Sequence, residues 1–149
     1  MDKQRLPPDF KDFLQLLNSE EVEYLLVGGL AVGIYGYPRA TGDMDIWIAA
    51  TASNSAKLTR VLHKFGFSAD TIEAENFQRP QQVIRMGVPP VCIDVLTSAT
   101  GVDFVQCYAR RQSIVIDGVE VTIIHPADLK ANKKASGRAK DLNDLENLP

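Results

Sequence analysis

Residues 24–48 read YLLVGGLAVGIYGYPRATGDMDIWI, and this stretch decides the fold. Residues 23–27 predict a short buried strand that stops at the glycine pair Gly28-Gly29. Residues 30–35 then predict a short helix that begins at the glycines and packs closely on its neighbours. Turn-forming residues fill 36–42 and lead into a second strand that begins at Asp43. The predicted order is therefore strand, glycine turn, short helix, turn and strand.

The second strand carries two acidic residues in an otherwise apolar segment. Residues two apart on a strand point the same way, so the carboxylates of Asp43 and Asp45 are expected to lie side by side. Such like charges are destabilising unless a cation compensates them, and oxygen ligands without histidine or thiolate favour Mg²⁺ or Mn²⁺. The alternative is an amphipathic strand whose solvent-facing side carries Asp43, Asp45 and Trp47.

A third carboxylate, Asp94, interrupts the apolar run VCIDVL at 91–96. An unpaired carboxylate in a buried strand would carry a penalty of several kcal/mol, so Asp94 is expected to have a partner. One possibility is a salt bridge to an arginine such as Arg85 or Arg110. The other is a metal site, which requires the strand of Asp94 to lie beside that of Asp43 and Asp45.

The glycine pair has two interpretations. Without a Cβ, the backbone N–H groups of Gly28 and Gly29 can approach a phosphate at the start of the short helix. A tight turn between strand and helix would need the same residues. The acidic residues that follow favour the phosphate interpretation.

The rest of the chain predicts further helices and strands around this unit. Helices are expected from Pro8 to about Asn18, from a Ser53 cap to Gly66, over 103–110, and from Pro126 onward with a break near Gly137. Strands are expected over 81–86, 91–96, 113–116 and 119–124, the first two antiparallel and the last two a hairpin. We therefore predict one domain over residues 1–149, of the α/β (α+β) class, with a mixed sheet of about five strands flanked by helices.

The composition is that of an ordinary globular protein. The chain has 149 residues, 45% of them hydrophobic, and a net charge of −3. A protein that binds nucleic acid over its whole surface would be basic, so only the local run 130–140 offers a basic patch. Two cysteines are too few for a disulfide framework. With no apolar signal segment and no membrane-length run, the expectation is a soluble, cytoplasmic protein that does not contact a membrane.

These motifs together resemble the nucleotidyltransferase superfamily that includes DNA polymerase beta. Its signature is matched by Val27-Gly28-Gly29, by Asp43-Met44-Asp45-Ile46 and by Asp94. From about residue 10 onward the chain also resembles small bacterial nucleotidyltransferases of the AbiEii type. That resemblance rests on the run 39–45 and on the C-terminal motif of Asp128-Leu129, Lys133 and residues 137–144.

The resemblance implies a role for each motif. Asp43 and Asp45 would hold two Mg²⁺ (or Mn²⁺) ions, and Asp94 would bind the second ion and accept a proton from the attacking hydroxyl. The triphosphate would lie along a set of glycine, basic and hydroxyl residues, namely Gly28, Gly29, Arg39, Thr41 and Lys133. Arg39 and Thr41 have an alternative role in shaping the turn. Lys133 has an alternative place on a solvated helix face.

The activity implied is transfer of a nucleoside monophosphate from an NTP to a hydroxyl on a protein, a tRNA or a small molecule. Family members of this kind occur in toxin–antitoxin and resistance systems, so a partner protein or a homo-oligomer is also expected. One alternative is an inactive nucleotidyltransferase fold that serves as a binding module, such as an antitoxin. A metal-dependent nuclease using the same carboxylates is a third possibility.

The remaining polar and aromatic residues are expected to be structural. His63, His125 and Trp47 have no complementary catalytic neighbour in the sequence. Asp141 and Asp144 share one helical face and are expected to form ion pairs with Arg138 or Lys140.

Overall fold

A computed structural model describes residues 5–37, 42–67, 74–88 and 91–149. Thirteen helices and strands lie in these ranges: α1 (Pro8–Ser19), β1 (Tyr24–Val27), α2 (Gly28–Ile34), β2 (Asp43–Ile48), α3 (Ala52–Phe65), a 3₁₀ helix (Ala74–Gln78), β3 (Val83–Val88), β4 (Val91–Leu96), α4 (Phe104–Ala109), β5 (Gln112–Ile116), β6 (Val119–Ile123), α5 (Pro126–Ser136) and α6 (Ala139–Asn147). The described ranges contain no helix that is both long enough and apolar enough to cross a membrane.

The described strands form one mixed sheet in the order β3-β4-β2-β1-β6-β5. The pairs β1–β6 and β2–β4 are parallel, and the other three pairs are antiparallel. The predicted α/β class and flanked mixed sheet are confirmed, with six strands rather than about five. The sixth strand arises because both strands of the C-terminal hairpin join the same sheet. Its turn is Asp117-Gly118, where both residues have positive φ as a two-residue hairpin turn requires.

Alternating residues of the central strands point to opposite faces of the sheet. One face is apolar: Met44, Ile46 and Ile48 are fully buried, together with side chains from α1 and α3. The helices meet through Phe13 and Phe65, whose rings are 5.2 Å apart and nearly perpendicular. This face forms the main core and leaves the other face of β2 for polar chemistry.

The amphipathic-strand alternative is wrong about Trp47. Its side chain is only 1% exposed, and its ring meets that of Phe104 edge to face at 5.2 Å. Helix α4 covers this end of the strand, so only the aspartate end of the same face stays open.

The start of α3 also differs from the expected Ser53 cap. Thr51 is the N-cap, because its hydroxyl accepts a hydrogen bond from the N–H of Asn54. The buried amide of Asn54 in turn bonds both backbone groups of Glu23 and the carbonyl of Ala49. This side chain therefore joins the start of β1 to the end of β2.

Candidate active site

The three aspartates predicted to act together lie on neighbouring strands and on one face of the sheet. Asp43 and Asp45 share this face of β2, and the parallel register places Asp45 directly opposite Asp94 of β4. Asp94 is buried, while Asp43 and Asp45 are partly exposed. The strand of Asp94 therefore lies beside the strand of Asp43 and Asp45, as a metal site shared by the three side chains would require.

Asp94 also has the arginine partner that was the other possibility. Arg85 lies opposite Asp94 on β3, with Nε 2.9 Å from Oδ1 and Nη2 3.0 Å from Oδ2. The same Nη2 donates to Oδ2 of Asp43 at 3.1 Å. Arg110, the second arginine considered, instead pairs with Asp128. One guanidinium therefore connects two of the three carboxylates.

The surroundings of Asp45 raise the pKa of its carboxyl group. Its burial, followed by the charges of Asp94 and Asp43, raises its pKa to about 6, although the charge of Lys133 acts in the opposite direction. The like charges that the sequence predicts to lie together thus add to the effect of burial. A cation placed among the three carboxylates would offset the repulsion that Asp94 and Asp43 exert on Asp45.

The glycine turn packs directly against this carboxylate. Gly28 has φ of +72°, and a Cβ built on it would lie 2.0 Å from Oδ2 of Asp45. Any other residue at position 28 would have to adopt a strained backbone and displace the carboxylate. The glycine pair and the paired aspartates are therefore parts of one site, as the resemblance implied.

The site opens into a cleft of about 520 Å³. Its acidic wall contains Asp43 and Asp45, next to Gly28 and Gly29. The facing wall comes from the loop after β4, from α5 and from the α5–α6 junction, and its polar lining residues are Ser98, Thr100, Asn132, Lys133, Ser136, Arg138 and Lys140. A carboxylate wall facing a basic and hydroxyl-bearing wall suits a ligand that carries phosphates and metal ions together.

Lys133 does not lie on a solvated helix face. Its side chain is 6% exposed, and Nζ is 3.2 Å from Oδ1 of Asp141 and 3.1 Å from Oδ2 of Asp144. Arg138 reaches the same Asp141 at 2.6 Å, as expected. Within the described ranges Lys140 makes no ion pair, so its expected pairing is not observed. The turn at Gly137 folds α6 back along α5 and brings the two aspartates to Lys133.

This buried cluster alters the ionisation of Asp141. Burial alone would raise the pKa of its carboxyl, but hydrogen bonds from Arg138 and Lys133 outweigh burial and hold the pKa below its usual value. Asp141 is therefore a stable anion that fixes two cations at the edge of the cleft.

The residues suit a divalent cation in the chemical type of their ligand atoms. Carboxylate oxygens are the ligands that Mg²⁺ and Mn²⁺ prefer, and the Arg85 guanidinium already stands as a cation between Asp43 and Asp94. Across the described ranges, no three acidic, histidine or cysteine side chains are arranged as a ready-made metal centre.

Two predicted site residues lie outside the described ranges, and several residues that line the cleft were not predicted. Arg39 and Thr41 lie outside the described residues, so their roles stay predictions. The sequence did not single out the cleft residues Ser98, Thr100, Asn132 and Ser136, because hydroxyl and amide residues in loops and helix ends give no pattern. The sequence places Lys140 in the basic run 130–140 and makes it a candidate ion-pair partner, with no phosphate-binding role predicted.

Two solved structures superpose on this architecture over most of its length. A protein of Thermotoga maritima classed as a nucleotidyltransferase superposes with a TM-score of 0.66 at 12% identity, covering 96% of this chain and 94% of that one. The lincosamide antibiotic adenylyltransferase LnuA in its lincomycin-bound form superposes with a TM-score of 0.62 at 14% identity, covering 97% of both chains. The fold is thus the nucleotidyltransferase fold.

The family follows from the sequence itself. Residues 5–148 match the family described as nucleotidyltransferase of unknown function (DUF6036), and the chain belongs to that family. No curated protein shows significant sequence similarity to the chain. The predicted membership of a small nucleotidyltransferase family is confirmed, and nucleotidyl transfer is the function that this family and fold support.

Proposed function

We propose that this chain is a Mg²⁺- or Mn²⁺-dependent enzyme that transfers a nucleoside monophosphate from an NTP to a hydroxyl acceptor. The observation that carries the proposal is the alignment of Asp45 with Asp94 on adjacent strands, with Asp45 lining the cleft and packed against Gly28. Asp43 completes the carboxylate set on the same face. The basic facing wall supplies charge compensation for a triphosphate.

Each group of residues has a distinct task in this reaction. Asp43 and Asp45 would hold the ions, with Asp94 as a ligand of the second. Bound ions would polarise the α-phosphate and offset the charge on the leaving group. The acceptor oxygen bonds to the α-phosphorus as the bond to the β-phosphate oxygen breaks, so pyrophosphate leaves. The proton of the acceptor hydroxyl passes to Asp94.

The opposite wall would hold the triphosphate. Lys133 and Arg138 are fixed by Asp141, so their charges are preorganised rather than mobile. Lys140 lines the same wall, and Gly28 and Gly29 allow close approach from the other side. We place the phosphates between these walls, with the α-phosphate nearest the carboxylates.

The acceptor is a protein, an RNA or a small molecule. LnuA, whose solved structure this chain covers to 97%, is a lincosamide antibiotic adenylyltransferase, and this favours a small acceptor. An antibiotic-like or other small hydroxyl compound is therefore the first acceptor class to test.

The test is label transfer from NTPs labelled at the α-phosphate. The purified protein would be incubated with each NTP, Mg²⁺ and cell extract separated into protein, RNA and small-molecule fractions. We expect label in one fraction, with release of pyrophosphate, and a loss of about 10²- to 10³-fold in the Asp43→Asn and Asp94→Asn variants. Glu75→Gln is the matched control, because it removes an exposed carboxylate outside the cleft.

The binding-module alternative draws support from one contact. Arg85 neutralises Asp94 and reaches Asp43, as a permanent structural pair would. This alternative predicts NTP binding or partner binding with no transfer to any fraction. Transfer that persists unchanged in both aspartate variants would instead refute the metal mechanism.

A further inference from the structure

The contacts of Arg85 place a positive charge where two carboxylates of the site converge. Its Nη2 is within hydrogen-bond distance of Asp43 and Asp94 at once, at 3.1 and 3.0 Å, while Nε holds the other oxygen of Asp94. A divalent ion bound between Oδ2 of Asp43 and Oδ2 of Asp94 would take the place that Nη2 occupies. Arginine and ion therefore cannot both keep all of these contacts.

The position of Arg85 lets its guanidinium leave without disturbing the core. It belongs to β3, which is an edge strand of the sheet, and its side chain is 53% exposed. Arg85 donates two hydrogen bonds to Asp94 and one to Asp43. The Asp43 contact is the one that breaks most easily, and Asp43 is itself 42% exposed.

We infer that Arg85 is a resident cation that competes with the divalent ion for Asp43 and Asp94 and thereby sets the metal affinity of the site. The inference rests on the proposed metal-dependent function. Arg85 acts through the carboxylates, so it is a positioning residue. Before the ion binds, Arg85 holds the carboxylates of Asp43 and Asp94 in position. When the ion binds, Arg85 releases Asp43.

The other cations of the cleft do not share this arrangement. Lys133 and Arg138 make their ion pairs with α6 aspartates. Lys140 lines the cleft without an ion pair in the described ranges. Removing Lys140 therefore changes the field in the cleft but breaks no contact with Asp43 or Asp94.

The test is Mn²⁺ binding to the protein without nucleotide, measured from the electron paramagnetic resonance signal of free Mn²⁺. We expect Arg85→Gln to bind Mn²⁺ about three- to tenfold more tightly than the wild type, the effect of removing one partly exposed competing charge. Arg85→Lys should lie between them. Lys140→Gln is the charge-matched control and should change the affinity by less than Arg85→Gln.

A second measurement uses thermal unfolding with chelator and with Mn²⁺. Without divalent ions Arg85→Gln should melt below the wild type, because the hydrogen bonds of the guanidinium to Asp94 and Asp43 are lost. Added Mn²⁺ should raise its melting temperature by more than it raises that of the wild type. If Arg85→Gln does not fold, the same comparison is made with Arg85→Lys.

The outcomes separate this inference from the proposed function. Equal Mn²⁺ affinity in the wild type and the Arg85 variants would overturn the inference alone. An equal gain in Lys140→Gln would also overturn it, since a general field effect would then explain the result. Absence of Mn²⁺ binding in the wild type and in every Arg85 variant would overturn the metal-dependent function and the inference with it.

Discussion

Two clusters of ion pairs border the cleft, and they differ in how accessible the cation is. In the first cluster Arg85 is 53% exposed and contacts Asp94 and Asp43 from an edge strand. In the second cluster Lys133 is 6% exposed and contacts two aspartates that are each 1% exposed. A cation open to solvent can be exchanged for another, whereas a buried one cannot leave without exposing buried charge.

This difference separates a site suited to exchange from a site suited to support. The exposed cluster holds carboxylates that a cation from solvent can reach. Burial and the charges of Asp94 and Asp43 raise the pKa of Asp45 beside them. The buried cluster fixes α6 against α5 and supplies preorganised positive charge. Both clusters use the same residue types, so their burial determines their different roles.

The largest expected effect is that of removing the buried cation. Lys133→Met would leave Asp141 and Asp144 without their shared partner, so we expect a loss of about 3–5 kcal/mol in the free energy of unfolding. Urea denaturation followed by circular dichroism would measure it. Lys134→Met is the matched control, because Lys134 is its exposed neighbour on α5. A variant as stable as the control would show that the buried cluster does not hold α6 in place.

Removing one charge from each cluster should change stability in opposite directions. Asp45→Asn relieves repulsion by Asp94 and Asp43, so in chelator at pH 7 we expect a gain on the order of 1–3 kcal/mol. Asp141→Asn removes an acceptor of Lys133 and Arg138, so we expect a loss of about 1–3 kcal/mol. Both values come from denaturant titrations under one set of conditions. Two changes of the same sign would remove the distinction between the clusters.

Much of the fold and of the acidic side of the site could be predicted from the sequence. The spacing of Gly28, Asp43 and Asp45 fits a strand, a short helix and a second strand, and local rules decide this order. Asp117-Gly118 likewise fixes the hairpin. These features depend on neighbours in the sequence, which is why they could be predicted without the structure.

The partners of the site depend on contacts between distant residues. Arg85 lies opposite Asp94 because Val88 pairs with Val91, a register that the short connection between the strands dictates. The sequence offered Arg85 as one of two candidate partners, and only this register distinguishes it from Arg110. The burial of Lys133 depends on the left-handed turn at Gly137. The direction of this turn determines which side chains of α6 pack against α5.

The last expected effect is a pH dependence that differs between the clusters. The folded-state pKa of Asp45 is raised to about 6, above its unfolded value of about 4. The protonated carboxyl therefore stabilises the fold below about pH 4, and this stability is lost as the pH rises through 6. The pKa of Asp141 is lowered, so its contribution is present above about pH 4 and is lost only in more acidic solution.

Denaturant titrations in chelator from pH 4.5 to 7.5, a range of about three units around the raised pKa, would measure this difference. We expect the stability advantage of Asp45→Asn over the wild type to grow with pH across this range, by a total on the order of 1–3 kcal/mol. The difference between Asp141→Asn and the wild type should stay nearly constant over the same range. An advantage of Asp45→Asn that is the same at both ends would mean that Asp45 ionises as an ordinary surface carboxylate, and the contrast between the exposed and buried clusters would then lose its electrostatic basis.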